Sequence, residues 1–127
     1  MICCRRVVFF SAIAVILLVF FSCERVSPSV YRDEIAALEA SASSGKRLLV
    51  YFGADWCEDC RILEHEFEKP EVVEKLKGYV FLKIDATRPS STTDVLMEKY
   101  GVEDFPFLAV DGVALGYLPG ENLTDYL

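Results

Sequence analysis

Two cysteines three positions apart carry the most chemistry in this chain. Cys57 and Cys60 lie in Ala54-Asp55-Trp56-Cys57-Glu58-Asp59-Cys60, where an apolar run passes into a segment of helical spacing. Such a pair alternates between dithiol and disulfide, and the thiolate is the nucleophile of exchange. A helix N-terminus favours the thiolate through its unpaired N–H groups and the positive end of its dipole. Cys57, at the helix mouth, is therefore expected to be the exposed attacking thiol. Cys60, one turn further in, is expected to resolve the mixed disulfide, and a spacing of three brings both sulfurs to one helix face. Glu58 and Asp59 act against this, because two negative charges beside Cys57 disfavour its thiolate. Trp56 reads as a shield packed over the thiols rather than a cofactor platform.

Glu64 falls on the same helix face, one turn beyond Cys60. It is a candidate proton acceptor for Cys60; the competing reading is a solvated helix carboxylate like Glu66 and Glu68. Tyr51 reads as a core aromatic. His65, the only histidine, is rotated away from Cys60 and reads as a surface residue, neither general base nor ligand. Asp85 reads as a strand-end cap with no assigned role.

The elements that must position these groups follow from the apolar pattern. Tyr31 to Ser44 reads as an amphipathic helix with Ile35, Leu38 and Ala42 on its inner face, ended by Ser43-Ser44-Gly45. Leu48 to Gly53 is a continuous apolar run, as a buried parallel strand requires. Cys57 to Phe67 is a helix through Cys60, Leu63 and Phe67, and Pro70 opens a second segment to Lys77. Tyr79 to Ile84 is a strand, and Asp94 to Tyr100 a short helix stopped by Gly101. Phe107 to Val110 and Val113 to Tyr117 form a hairpin about Asp111-Gly112. Pro119 to Leu127 is expected to end the chain as a short helix. The order gives an α/β fold, a mixed central sheet with helices on both faces.

The combined motifs resemble the thioredoxin superfamily, and within it the C-terminal periplasmic domain of the DsbD disulfide reductases. The resemblance runs from about Lys46 to Tyr117. It rests on Tyr51-Phe52-Gly53-Ala54-Asp55-Trp56-Cys57, Cys60 with Glu64, Phe67 with Lys69-Pro70, Ile84-Asp85-Ala86-Thr87, and Phe105-Pro106. It implies a thioredoxin fold and a cis-proline at Pro106, preceded by Phe105 and facing the thiols. In such folds the backbone beside that proline pairs with the substrate chain, and the proline keeps metals off the thiols. Two features depart from the pattern: the resemblance places a buried aspartate six residues before the first cysteine, where Tyr51 stands instead, and the dipeptide Glu58-Asp59 between the cysteines is unusually acidic.

A chain of 127 residues suits one domain and a short appendage. Of five cysteines, Cys3, Cys4 and Cys23 flank the N-terminal apolar stretch, so the domain keeps two, too few and too close for a disulfide-stapled scaffold. The net charge is −7; without Arg5 and Arg6, eleven basic residues face twenty acidic ones, or −9. No basic stripe remains, which argues against nucleic-acid binding. Arg5-Arg6 followed by the apolar run Val7 to Phe21 reads as a secretory signal, short for a membrane-spanning helix. Phe20-Phe21-Ser22-Cys23 resembles a bacterial lipobox, with Phe20 where a leucine is usual. The expected organisation is a lipoprotein-type signal peptide over 1–22, a tether over 23–30 beginning at a lipidated Cys23, and a thioredoxin-like domain over 31–127. An uncleaved anchor is the alternative. Either arrangement leaves the domain membrane-anchored outside the cytoplasm, on the periplasmic side or at the cell surface.

The expected function is a thiol-disulfide oxidoreductase that reduces or isomerises disulfides in exported proteins. A separate redox protein must donate its electrons, since the chain shows no cofactor motif. Two alternatives stay open. One is a metal-binding module such as a copper carrier, although two thiols fall short of the usual four ligands of structural zinc. The other is a non-catalytic thioredoxin-like interaction domain.

Overall fold

The computed structural model describes residues 28–127. The expectations for residues 1–22 and for Cys23 lie outside the described residues, as does most of the tether. The elements are β1 (Val30–Tyr31), α1 (Glu34–Ser44), β2 (Arg47–Gly53), α2 (Glu58–Phe67), α3 (Pro70–Leu76), β3 (Tyr79–Asp85), α4 (Ser91–Tyr100), β4 (Phe107–Val110), β5 (Val113–Ala114) and a 3-10 turn at Leu123–Asp125. The sheet runs β1-β3-β2-β4-β5. β3 pairs parallel with both β1 and β2, whereas β4 runs antiparallel to β2 and β5. This is the thioredoxin fold.

β2 lies at the centre, and every residue from Leu48 to Gly53 is buried. Alternation divides its side chains between two cores. Leu48, Val50 and Phe52 join Val80, Leu82 and Ile84 against Ala37 of α1 and Leu96 of α4. Leu49 and Tyr51 join Phe81 and Leu108 against Leu63 of α2, Val72 and Leu76 of α3, and Leu123. The continuous apolar run of β2 is thus explained by cover on both faces.

Several boundaries differ from the sequence reading. Val30 and Tyr31, assigned there to the tether and the first helix, pair with Phe81 and Leu82 as an edge strand. Two residues are too few to show alternation. α1 starts at Glu34 because the Asp33 carboxylate accepts from the Ala36 N–H at 2.9 Å. Its inner face is also different. Ile35 and Leu38 are exposed, at 68% and 43%, while Ala37 is fully buried and Ala40 packs beside it. Small side chains let α1 lie close on the sheet. α4 begins at Ser91, earlier than expected, because Ser90 Oγ accepts from the Thr93 N–H. β5 stops at Ala114, and a single 3-10 turn replaces the expected terminal helix. The positive φ of Gly116, 63°, turns the chain out of the extended path.

Candidate active site

The redox motif sits where β2 leaves the sheet. The end of β3 pins that exit. The Gly53 carbonyl accepts from the Ala86 N–H at 2.8 Å, and the Asp55 N–H donates to Thr87 Oγ1 at 2.9 Å. The Thr87 N–H in turn donates to Asp85 Oδ1 at 2.8 Å. The two Thr87 hydrogen bonds hold the Asp85 carboxyl and lower its pKa below the ordinary carboxylate value, and the Lys83 and Arg32 charges act in the same direction. The chain then closes a turn, Cys57 N–H to Ala54 carbonyl at 3.1 Å, and α2 begins.

Cys57 is the N-cap of α2, and its Sγ accepts the Cys60 N–H at 3.1 Å. The sulfur thereby takes the place that a serine or aspartate oxygen holds in an ordinary cap. Cys57 and Cys60 are joined as a disulfide with Cα atoms 5.2 Å apart. Cys57 is 8% exposed and Cys60 1%, so the outer sulfur belongs to Cys57. A backbone N–H aimed at that sulfur favours negative charge on it once the bond is opened.

Phe105 packs on Ala54, Cys57 and Cys60. The Phe105–Pro106 peptide bond is cis. Trp56 is 66% exposed and meets Phe105 edge to face, with ring centroids 5.7 Å apart. Phe105 thus walls one side of the disulfide, with Trp56 braced against it. Glu58 and Asp59, in the first turn of α2, are exposed.

Glu64 lies further along α2, half-buried. Its Oε1 accepts from the Tyr51 hydroxyl at 3.1 Å and from Lys83 Nζ at 2.7 Å. Tyr51 is fully buried, as a core aromatic, and its ring packs edge to face on Phe67. Burial and the neighbouring Glu64 charge push its hydroxyl pKa far above the ordinary value, so it stays protonated. His65 is exposed and lies beside Glu68. The sequence reading missed Lys83 and Thr87. Lys83 had a visible signal, as the one cation in a strand that is apolar from Tyr79 to Ile84 apart from it. Thr87 stood in the motif Ile84-Asp85-Ala86-Thr87, but its hydrogen bond had no local signal, because its partner Asp55 is 32 positions away.

A thioredoxin-like family model matches residues 30–110, most of the described chain. The chain belongs to the thioredoxin-like family. It is 36% identical over 72 residues to the thiol:disulfide interchange protein DsbD 2 of Pseudomonas aeruginosa, a match covering 56% of this chain and 12% of that protein. It is 35% identical over 95 residues to the chloroplastic thioredoxin-like protein HCF164 of Arabidopsis thaliana, covering 68% of this chain and 35% of that one. The chain therefore corresponds to a minor part of these relatives. Among solved structures it resembles the disulphide isomerase of Xylella fastidiosa Temecula1, with 27% identity, a TM-score of 0.53 and coverage of 68% and 76% of the two chains. The oxidised C-terminal domain of Neisseria meningitidis DsbD shares the fold, with 24% identity, a TM-score of 0.57 and coverage of 77% and 96%.

Proposed function

We propose that this chain is a thiol-disulfide oxidoreductase, tethered to a membrane on its extracytoplasmic side, that reduces or isomerises disulfides in exported proteins. The observation that carries the reading is the Cys57–Cys60 disulfide at the N-cap of α2, walled by Phe105, on which Trp56 packs. Relatives named as thiol:disulfide interchange proteins support it. The reduced Cys57 thiolate attacks a substrate disulfide and forms a mixed disulfide. Cys60 then attacks Cys57 Sγ, re-forms the internal disulfide and releases the substrate thiol. Pro106 and its neighbouring backbone hold the substrate chain beside the sulfurs and keep metal ions away. Glu64 takes the proton that Cys60 must lose. A separate redox protein returns two electrons after each cycle.

Residues 1–22 direct export, Cys23 carries the lipid, and the residues up to β1 form the tether. Among the described residues no helix is long and apolar enough to cross a membrane. The activity is tested with a protein substrate that reports disulfide cleavage, supplied with a chemical reductant. The wild type accelerates cleavage and the double variant Cys57→Ser/Cys60→Ser does not. Equal acceleration by both would remove the proposal.

A further inference from the structure

The resolving step demands a proton acceptor, because a thiol attacks only as its thiolate. Cys60 is nearly fully buried and cannot give its proton directly to bulk water. Glu64 lies one helical turn along the same face of α2. Its Oε1 is occupied twice, by the Tyr51 hydroxyl and by Lys83 Nζ. Among the described residues no partner engages Oε2. Two donors on one oxygen fix the carboxylate plane and leave the other oxygen to receive a proton.

We infer that Tyr51 is a positioning residue of the resolving step: its buried hydroxyl, with Lys83, holds Glu64 so that Oε2 faces its proton-transfer task. This deepens the proposed function and rests on it. Three observations support it. Tyr51 and Lys83 are direct cross-strand partners on β2 and β3, so the rigid centre of the sheet presents both donors. The Tyr51 hydroxyl fills the space over Gly53, where an added Cβ would lie 2.0 Å from it, so the glycine makes room for this hydroxyl placement. Beside Glu64 lies a polar cavity of about 180 Å³, lined also by Arg32, Asp55, Lys83 and Asp85, which gives the carboxyl a wet route to solvent.

In the step itself Cys60 Sγ attacks Cys57 Sγ in the mixed disulfide. The Cys57–Cys60 bond forms, and the bond from Cys57 to the substrate sulfur breaks. The substrate leaves as a thiolate, the Cys60 proton passes to Glu64 Oε2 directly or through one water, and the carboxyl then releases it to the cavity. Tyr51 keeps its own proton throughout. The charged groups facing Glu64 are Lys83 and Asp85 of β3, Asp55 of the motif loop and Arg32 after β1. On its own helix Arg61 and Glu68 stand at neighbouring spacings.

The test follows one turnover of the full chain carrying a chromogenic thionitrobenzoate in mixed disulfide with Cys57. Release of the chromophore reports attack by Cys60 as a function of pH. Glu64→Gln should slow release at pH 7 by about a hundredfold and move the rise of the profile to higher pH. Tyr51→Phe keeps the ring and its packing, and should slow release by roughly tenfold with a shift in the same direction. In the Glu64→Gln background Tyr51→Phe should add nothing, because Tyr51 acts through Glu64. Gly53→Ala should resemble Tyr51→Phe. An unchanged profile in Tyr51→Phe, or an equal slowing in both backgrounds, would overturn the inference. An unchanged profile in Glu64→Gln would overturn it while leaving the exchange activity intact. Failure of the wild type to release the chromophore would remove the proposed function as well.

Discussion

At the scale of single residues, the two sulfurs of the disulfide are not equivalent. Cys57 Sγ receives a backbone N–H, is the more exposed and stands at the helix mouth; Cys60 is enclosed. The outer sulfur is thus the one a substrate or an electron donor reaches, and attack on it releases Cys60 when the internal disulfide is reduced. Cys57→Ser is expected to abolish exchange, whereas Cys60→Ser should accumulate a mixed disulfide with the substrate, visible on a non-reducing gel. Equal rates of thiol labelling at Cys57 and Cys60 in the reduced protein would contradict this order. The pair itself was legible in the sequence, because its spacing and the strand-to-helix passage are local. The surroundings of Glu64 were not. Tyr51, Glu64 and Lys83 come from three elements, and only the register of β2 on β3 brings the tyrosine and the lysine side by side.

At the scale of elements, α2 must be held firmly for the cap geometry to persist. Leu63 is fully buried one turn beyond Cys60 and packs with Leu49, Tyr51 and Leu76. Leu63→Ala should cost about 2–5 kcal/mol of stability, read as a lower denaturant midpoint with little change in slope. The β4–β5 turn makes a second, smaller contribution. Asp111, at φ 50°, accepts the Leu48 N–H and pairs with Arg47, which ties the turn to the start of β2. The Arg47 hydrogen bond, then the Leu48 N–H, lower the Asp111 pKa below the ordinary carboxylate value. A depressed folded-state value stabilises the protein above the unfolded value, about 3.9, and the gain is lost as pH falls through the folded value. Both charged side chains are exposed, so solvent screens the pair and the effect is small. Denaturation midpoints between pH 5 and pH 2 should fall less steeply in Asp111→Asn, which also tolerates the left-handed turn. An identical slope in the two proteins would dismiss this contribution. Elements with continuous apolar runs, β2 and β3, were legible from the sequence. The inner face of α1 was not, because the sheet accepts Ala37 and Ala40 and leaves Ile35 and Leu38 outside. Apolar periodicity marks the larger residues, and here close packing chose the smaller ones.

At the scale of the whole molecule, the questions are where the domain sits and which way electrons flow. If Cys23 carries the lipid, mass spectrometry of the mature protein should show residues 1–22 removed and an acylated Cys23, and Cys23→Ala should release the protein from membranes. Retention of residues 1–22 would favour an uncleaved anchor. For direction, the sign of the local field decides. The N-terminus of α2 favours the Cys57 thiolate, while the exposed Glu58 and Asp59 oppose it. Strong oxidants owe their potential to a stabilised reduced form, and this motif lacks a neighbouring cation between its cysteines to supply one. The protein is therefore expected to act as a reductant recharged by a separate donor. The most direct measurement is an equilibrium titration against glutathione, with the Cys57 and Cys60 thiols counted by mass after alkylation. A single two-electron transition, both thiols appearing together at a potential nearer about −270 mV than about −120 mV, is the expected result. A protein still mostly reduced at about −120 mV would be a disulfide donor, and one with no reversible transition would not be an exchange catalyst at all.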